Sequence, residues 1–563
     1  MKFTICYVNC ANCKNGRKWP ANNRMKNAAF KEPLKTMSKS KLTAFAIIIA
    51  AIAAVIYLPI LTADFVYDDI PQILTDSYIH KPAHFAEVLN LSVIRKDVID
   101  NNRPVMLLSL MLDSLLWGRN PFGYHLTNLL LHLLCSAMVF LLLYGVLSRL
   151  LLLQSNKNIG ALWAAFAAAI LFAIHPVSTE AVCVVTFRED VLAAFFILLT
   201  LVLAEQFPTE RKVTNTLLGG LIVISIFAAA AAKENGAVAP LFLLVYWLIV
   251  RRGNQWRIWT KLIAAGFGAT AIFMIVRFTI VPTRSVIFFQ KAPYLGGSFS
   301  QMLTIQPRIW TFQLLELIWP KLLSADQTDY SIRFITLSAA LAILAVIIII
   351  VVLLCRKNIG FAAGAIFYCL AILPISNLVP IYRPIADRYL YLPIIGVCLA
   401  FGAVICRLKM PIKRLSVAML TAITAAICIF FGSFTVQREF VWRNSLSLWQ
   451  DTVKKNPFSC TGCNNLGFAL FDAGEFKEAI PFFTKASQLE PNNPDPIAGL
   501  AITYDALGMS APAEEAFRKA VSLDKRYAGY DGLIQALIWT PHQAEKLQAI
   551  ADRVPARQKA VFE

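Results

Sequence analysis

Residues 335–355 read ITLSAALAILAVIIIIVVLLC, an apolar run without a single charged side chain. About 20 such residues in a helix span the roughly 30 Å hydrocarbon core of a bilayer. Comparable runs recur from residue 41 to about residue 435 and then stop. The chain has 563 residues, of which 58% are hydrophobic and 15% charged, which is too apolar for a soluble globular protein. The sequence therefore predicts an all-α, polytopic membrane protein.

About eleven stretches are long and apolar enough to be predicted as transmembrane helices. They cover residues 42–61, 124–148, 160–179, 188–206, 215–232, 236–250, 259–280, 335–355, 360–376, 388–406 and 415–435. Residues 104–117 and 301–323 are apolar but interrupted by polar residues. We predict that these two segments are amphipathic helices at the outer surface, and either could be a short span.

Basic residues decide the predicted orientation. The net charge is +19, but Lys and Arg form short clusters in alternate loops and no single basic stripe, so nucleic-acid binding is not predicted. Because Lys and Arg beside a span resist translocation, these loops should face the cytoplasm. The N-terminus is then cytoplasmic and the C-terminal part periplasmic or extracellular, in a plasma (inner) membrane, or in the ER membrane if the source is eukaryotic.

The first 40 residues form a basic, irregular segment that we predict to be a disordered cytoplasmic tail, or to precede a later translation start. Cys6, Cys10 and Cys13 stand there in a CxxxCxxC pattern that can hold an iron–sulfur cluster. A span follows at once and no soluble domain encloses such a cluster, so the tail is the favoured interpretation.

Two periods of 34 residues, 460–493 and 494–527, align with each other, which is the length of one tetratricopeptide (TPR) helix–turn–helix unit. Because two repeats bury little core, we predict that residues 436–459 connect and cap one end and 528–563 cap the other. The repeats provide either a groove for a protein partner or a brace for the membrane domain. The positions that recur in register are Leu466/Leu500, Gly467/Ala501, Gly474/Gly508, Ala479/Ala513, Phe483/Phe517 and Ala486/Ala520.

A CxxC pair, Cys460 and Cys463, precedes the first repeat. No thioredoxin-like pattern surrounds it, so a structural disulfide or two free thiols are both favoured over a redox centre.

The predicted membrane domain, 41–435, has an outer-face loop at 62–123 that is rich in acidic residues where it begins. Residues 63–80 read ADFVYDDIPQILTDSYIH, with adjacent carboxylates at Asp68 and Asp69. Mutual repulsion between such neighbours should raise the pKa of one of them, and a carboxylate so placed can act as a general base. A solvated acidic turn is the alternative.

Further ionisable residues stand where predicted spans meet the outer face. Charged groups at membrane depth are costly, so they are usually paired or functional. We expect them to converge on one outward cavity, where the cations suit a phosphate, although ion pairs between helices would explain each one alone. They are Arg103, His125, His175, Glu180, Arg188, Glu189, Asp190, Lys233, Glu234, Arg383, Asp387 and Arg388.

Four motifs, in the same order along the chain, resemble those of a known protein family. They are FVYDDIPQI (65–73), RPVMLLSLMLDSLLWGRNPFGYHLTNLLLH (103–132), LFAIHPVSTEAV (171–182) followed by FREDVLA, and DRYLYLPIIG (387–396). Together with the TPRs, they closely resemble the transmembrane and TPR-containing (TMTC) proteins, which are GT-C glycosyltransferases similar to protein O-mannosyltransferases. The resemblance covers residues 41–527, although the family's repeat array is usually longer.

The resemblance implies a membrane transferase that moves a sugar, typically mannose, from a polyprenyl-phosphate donor to a protein Ser or Thr hydroxyl on the outer face. In the family the acidic pair of the first outer loop carries an inverting displacement, and it matches Asp68 and Asp69. We expect Asp68 to be the base and Asp69 to assist or orient, with the reverse left open. The TPR domain would meet the acceptor protein.

The remaining candidate site residues are chosen mainly by their charge, by their predicted position on the outer face and by the motifs that contain them. Arg103, Lys233, Arg383 and Arg388 are predicted to bind the leaving phosphate. His125, His175, Glu180, Arg188 and Asp190 are predicted to shape the substrate site. No cofactor and no metal-ligand cluster is predicted, and a divalent ion near the Asp pair is left open. The alternatives are the same donor with a lipid or glycan acceptor, or a non-catalytic membrane-anchored TPR scaffold.

Overall fold

A computed structural model describes most of the chain. The described residues are 38–75, 77–96, 98–152, 159–208, 212–251, 255–280, 294–328, 330–407, 413–530, 532–533 and 539–554. The predicted disordered tail, with Cys6, Cys10 and Cys13, lies outside them up to residue 37. The last part of the predicted C-terminal cap, 555–563, also lies outside.

Within these ranges the structure is helical and contains no strand. The principal helices are α1 Lys39–Ile56, α2 Pro104–Trp117, α3 Pro121–Leu152, α4 Ile159–Ile174, α5 Arg188–Gln206, α6 Lys212–Ala232, α7 Ala239–Val250, α8 Trp256–Ile280, α9 Phe299–Glu316, α10 Leu337–Lys357, α11 Ile359–Ile372, α12 Pro393–Ile405, α13 Lys413–Val441, α14 Ser445–Lys455, α15 Cys460–Asp472, α16 Phe476–Leu489, α17 Pro494–Ala506, α18 Ser510–Leu523 and α19 Pro541–Arg553. Short helical turns join them, at Leu58–Thr62, Ile70–Thr75, Tyr78–His80, Pro82–His84, Phe85–Leu89, Ser92–Arg95, Pro176–Ser178, Thr179–Cys183, Glu234–Val238, Pro320–Leu322, Leu373–Ile375, Asp387–Leu390 and Lys525–Ala528.

Each of the eleven predicted spans coincides with helical structure. Among the described residues, six helices are long and apolar enough to cross a membrane: α1, α3, α6, α8, α10 and α13. A seventh is possible if Gly160–Ile174 and Pro176–Cys183, which meet at a bend of 45°, form one span. The other four positions hold shorter apolar helices or, in α5, a helix that begins with three charged residues.

Helix α10 shows most directly why the chain needs lipid. Its apolar window has a mean hydropathy of 3.4, yet only 6% of that window is buried inside the protein. Exposed Val346, Ile348 and Ile349 would be unfavourable in water and are suited to hydrocarbon.

Close packing inside the bundle depends on small residues. Helices α11 and α12 touch backbone to backbone, because a Cβ at Gly364 would lie 2.5 Å from the carbonyl oxygen of Gly396. Without a strong hydrophobic force between helices in lipid, such contacts supply packing energy. The same need explains the alanine-rich buried face of α4.

The C-terminal helices form two helix–turn–helix units. Helices α15 and α16 are separated by Gly474, and α17 and α18 by Gly508, which have φ angles of 81° and 75° respectively. Both glycines adopt the left-handed conformation that commonly ends a helix. This conformation carries a steric cost for residues with a Cβ, which glycine lacks. Phe483 is fully buried between Gly467 and Gly499, where any larger residue would collide with its ring. Cys460 and Cys463 are buried free thiols.

The first repeat and the acidic loop share one hydrophobic cluster. It contains Ile60 from the turn that precedes the loop, Val66 from the loop, Trp449 from α14, and Leu466 and Phe483 from the repeat. This junction cluster fixes the repeats against the outer loop, because tight packing leaves little freedom to rearrange.

Candidate active site

The acidic pair lies on a turn with an unusual backbone. Tyr67 has φ of 57°, a left-handed conformation that is costly for a bulky residue and persists only when its surroundings enforce it. The surroundings are aromatic: the Tyr67 ring stacks on Trp449 at 5.3 Å and meets Phe187 edge-on at 5.4 Å. The turn therefore presents the next two residues in different directions.

Asp69 points into the protein and is fully buried. Its Oδ1 accepts hydrogen bonds from the backbone N–H and the hydroxyl of Thr186, both at 2.8 Å, and its Oδ2 accepts the N–H of Val185 at 3.1 Å. Burial raises the pKa of Asp69 to about 7, and the hydrogen bonds from Thr186 and Val185 oppose this rise. Asp69 thus ties the acidic loop to the segment before α5.

Asp68 has the opposite environment. Its side chain is partly exposed, and its carboxylate has no hydrogen bond or ion pair within the described part of the chain. Desolvation raises the pKa of Asp68 above its ordinary value, while the positive charges of Arg383 and Arg388 oppose this rise. A carboxylate with free lone pairs at a cavity can accept a proton from a bound hydroxyl group.

That cavity has a volume of about 250 Å³ and lies between the acidic loop and the repeats. Tyr67, Asp68 and Arg383 form the wall on the membrane-domain side. The opposite wall is formed by TPR residues and the C-terminal cap, among them Asn464, Phe468, Asp472, Asp495 and Trp539. We call it the interdomain cavity.

Several predicted cations and carboxylates do come together, in one ion-pair network. Arg103 pairs with Asp100 at 2.8 Å, with Glu234 at 3.1 Å and with Glu189. Lys233 pairs with Glu189 at 2.8 Å and with Asp190 at 2.5 Å.

The network continues to a second arginine. Arg388 pairs with Glu180 and lies 3.8 Å from Asp190, and its guanidinium lies 3.8 Å from the centre of the Phe187 ring. Phe187 also contacts Tyr67, so the network ends beside the acidic turn.

Arg383 lies apart from this network and lines the interdomain cavity. It pairs with Asp326 and covers the Tyr67 ring at 5.4 Å. Asp326 in turn accepts a hydrogen bond from Ser459, just before the first repeat. All four predicted phosphate ligands are thus paired with carboxylates, so a bound phosphate would have to share or replace these partners.

Three other predicted site residues have packing contacts in the protein interior. His175 contacts the carbonyl oxygen of Leu317 through Nε2 at 3.0 Å. Arg188 is fully buried and pairs with Asp113 at 2.6 Å. His125 is buried beside the Phe65 ring. None of the three is among the residues that line the interdomain cavity.

The sequence did not indicate the TPR wall of the cavity. Asn464, Phe468 and Trp539 are separated from Asp68 by almost the whole membrane domain and belong to no charged motif. Tyr67 and Thr186 stand beside predicted site residues, but nothing in the pattern indicated stacking on Trp449 or a hydrogen bond to Asp69.

Comparisons with known proteins agree with this architecture. The tetratricopeptide repeat family matches residues 470–537. The protein O-mannosyl-transferase F38B6.6 of Caenorhabditis elegans is 26% identical over 465 residues, which cover 79% of this chain and 63% of the relative. Protein O-mannosyl-transferase TMTC3 of Homo sapiens is 23% identical over 521 residues, which cover 84% of this chain and 54% of the relative. The chain therefore spans about half to two thirds of the length of these relatives.

Among solved structures, apo ArnT from Cupriavidus metallidurans aligns with a TM-score of 0.41 at 15% identity, covering 90% of this chain and 84% of that one. The form bound to undecaprenyl phosphate aligns with a TM-score of 0.39 at 14% identity, over 90% and 85% of the two chains. The predicted resemblance to TMTC proteins is confirmed by the sequence relatives and the repeat match. The chain is a helical, multi-pass membrane protein with a C-terminal TPR domain and with protein O-mannosyl-transferases as relatives.

Proposed function

We propose that this protein is a membrane glycosyltransferase that transfers a sugar, with mannose expected, from a polyprenyl-phosphate donor to a Ser or Thr hydroxyl of a protein on the outer face. The observation that carries the proposal is the unpaired Asp68 carboxylate at a cavity, beside a buried network of paired cations and carboxylates. The similarity to proteins named protein O-mannosyl-transferases supports the sugar and the protein acceptor.

In the proposed reaction Asp68 removes the proton of the acceptor hydroxyl. The hydroxyl oxygen forms a bond to the anomeric carbon while the bond from that carbon to the phosphate oxygen breaks, which inverts the configuration. The electron pair leaves with polyprenyl phosphate. Because phosphate is a good leaving group, no second carboxylic acid is needed to protonate it, in contrast to glycosidases.

Asp69 acts as a positioning residue in this proposal. Its three hydrogen bonds to Val185 and Thr186 hold the turn, and hence Asp68, in one orientation. Such fixed placement of a reacting group removes an entropic cost from the reaction.

Arg103, Lys233, Arg383 and Arg388 are proposed to stabilise the departing phosphate. Their carboxylate partners keep them ionised and pre-oriented before the donor arrives. Glu180 and Asp190 are then proposed to orient Arg388 and Lys233, without contacting the sugar. His125, His175 and Arg188 are proposed to support the site by packing behind it.

The function is tested with the purified full-length protein in lipid nanodiscs. Radiolabelled mannose and glucose on polyprenyl phosphate would be offered with secreted-protein acceptors, and separately with lipid and glycan acceptors. We expect transfer to protein from the mannosyl donor. Transfer only to lipid or glycan would support the alternative acceptor, whereas no transfer from any donor would favour the scaffold.

The rate should depend on pH through Asp68. A base works only when ionised, so kcat/KM should fall as the pH drops through a pKa that burial has raised above that of an ordinary Asp. The positive charge of Arg383 opposes this rise, so Arg383→Gln should move the acid limb of the profile to higher pH. Arg333→Gln, at an exposed arginine, is the matched control and should leave the profile unchanged. An unmoved limb in Arg383→Gln would contradict Asp68 as the base.

A further inference from the structure

The TPR wall of the interdomain cavity contains an unused hydrogen-bonding group. Asn464 is only 7% exposed and lines the cavity, and its Oδ1 is buried without a hydrogen-bond partner in the described structure. A buried amide oxygen left without a partner costs roughly 1–3 kcal/mol, so such groups usually have a role. Because Asn464 lines the cavity, a small rearrangement of its side chain would bring this amide into contact with a ligand there.

The chemistry of a carboxamide matches that of a peptide main chain. A carboxamide offers one acceptor oxygen and two N–H donors, and each peptide unit offers one N–H and one carbonyl oxygen. Phe468 stands one helical turn after Asn464 in α15 and contacts the Trp539 ring edge-on at 5.1 Å. These rings give the same wall an apolar surface beside the amide.

The charges around the cavity favour a basic ligand. Among the described residues that line it, Asp68, Asp472 and Asp495 are acidic and Arg383 alone is basic, and the charge of Arg383 is already matched by Asp326. Asp472 is exposed and accepts a 2.9 Å hydrogen bond from the uncharged Gln543, with His542 as a nearby titratable group. A positive side chain would therefore be attracted to the TPR wall, and a negative one repelled.

The size of the cavity sets the length of what it can hold. A cavity of about 250 Å³ holds only a short piece of chain, and three extended residues span at most about 10 Å. Asp68 is on one wall and Asp472 on the other, so a hydroxyl residue and a basic residue would be near neighbours in the same segment.

We propose that the interdomain cavity binds an extended acceptor segment with a Lys or Arg within about three residues of the Ser or Thr. Asn464 hydrogen-bonds the main chain of that segment, and Asp472 attracts the basic side chain. The placement of the hydroxyl at Asp68 rests on the proposed function. Binding of the segment to the cavity does not depend on the proposed function.

The test measures peptide binding without any donor. Fluorescent Thr peptides with a flanking Lys would be titrated against the full-length protein in nanodiscs by anisotropy, with the Glu-flanked peptides for comparison. We expect the Lys peptide to bind at least tenfold more tightly, with the difference shrinking at high salt. Equal affinity for the two peptides would overturn the charge argument.

Two substitutions test the residues. Asn464→Leu keeps the size of the side chain but removes its hydrogen bonds, and should raise Kd about tenfold, the effect of one lost hydrogen bond. Asn492→Leu, at an exposed asparagine between the repeats, is the matched control and should bind like wild type. Asp472→Asn, on the exposed rim of the cavity, tests the site if Asn464→Leu folds poorly, and should reduce the preference for Lys several-fold. Unchanged binding in both Asn464→Leu and Asp472→Asn would overturn the proposal.

Failure of this inference and failure of the transferase are distinguishable. Asp68→Asn should still bind the Lys peptide within a few-fold of wild type. Peptide binding that depends on Asn464 in a protein that transfers no sugar would refute the transferase and keep the inference. Sugar transfer with the same KM for peptide in wild type and Asn464→Leu would refute the inference and keep the transferase.

Discussion

Asp68→Asn should reduce sugar transfer by about 10²- to 10⁴-fold, the usual contribution of a general base. Asn has nearly the same shape as Asp but cannot accept a proton from the acceptor hydroxyl. The Asp68 carboxylate makes no hydrogen bond or ion pair with any described residue, and the hydrogen bond from Gln72 goes to the Asp68 backbone carbonyl, which Asn retains. The loss should therefore appear in kcat, measured with the labelled donor, while the melting temperature stays at the wild-type value.

A matched control lies four residues earlier. Asp64 is an exposed carboxylate in the same loop and is not among the residues lining the cavity, so Asp64→Asn should retain wild-type transfer. Transfer by Asp68→Asn at more than a tenth of the wild-type rate would rule out Asp68 as the base. An equal loss in Asp64→Asn would indicate a general effect of loop charge.

Asp69→Asn should instead damage the fold as well as the reaction. An Asn side chain has one oxygen and one NH₂, so one of the N–H groups of Val185 and Thr186 would face another donor. Losing a hydrogen bond to a charged acceptor costs roughly 1.5–3 kcal/mol. We expect a melting temperature lower by several degrees in nanodiscs, together with reduced transfer because the acidic turn is released.

The pH dependence of stability gives Asp69 a second signature. Its folded-state pKa is raised to about 7, so the stability it contributes is fully present below its unfolded pKa and is lost as pH rises through 7. Wild type should lose about 1 kcal/mol more than Asp69→Asn between pH 6 and pH 8. Equal melting temperatures of wild type and Asp69→Asn at both pH values would contradict a structural role for this carboxylate.

The helices could be predicted because their signal is local. A run such as residues 335–355 has no alternative to a helix in lipid, since every backbone N–H and C=O must be satisfied within the segment. The apolar runs did not predict where a helix is interrupted. His175 adopts an extended conformation before Pro176, so α4 ends at Ile174 and the predicted span 160–179 becomes a bent pair.

The acidic pair could be located, but the difference between its members could not be predicted. Asp68 and Asp69 are adjacent and identical, and the sequence left their order open. The difference arises from contacts with Val185 and Thr186, more than one hundred residues away, and from the strained turn at Tyr67. Both are properties of tertiary packing.

The charged residues show the same limit. Their side of the membrane was deduced from alternating loops, and the network around Arg103, Lys233 and Arg388 does bring many of them together. The pairing of these residues could not be predicted, because Lys233 is nearer in sequence to Glu205 and Glu234 than to Asp190. The sequence also could not predict that Arg383 lies apart from this network, beside the repeats, where it pairs with Asp326.

The junction cluster also bears on how the protein is made. The turn that holds Asp68 leaves the ribosome with the first span, but Trp449, on which Tyr67 stacks, follows only after nearly the whole membrane domain. Until α14 and the first repeat are synthesised and packed in place, the turn lacks the ring that supports it. A nascent chain would then insert with this turn unsupported, and the proposed sugar transfer would have to wait until the C-terminal domain had folded.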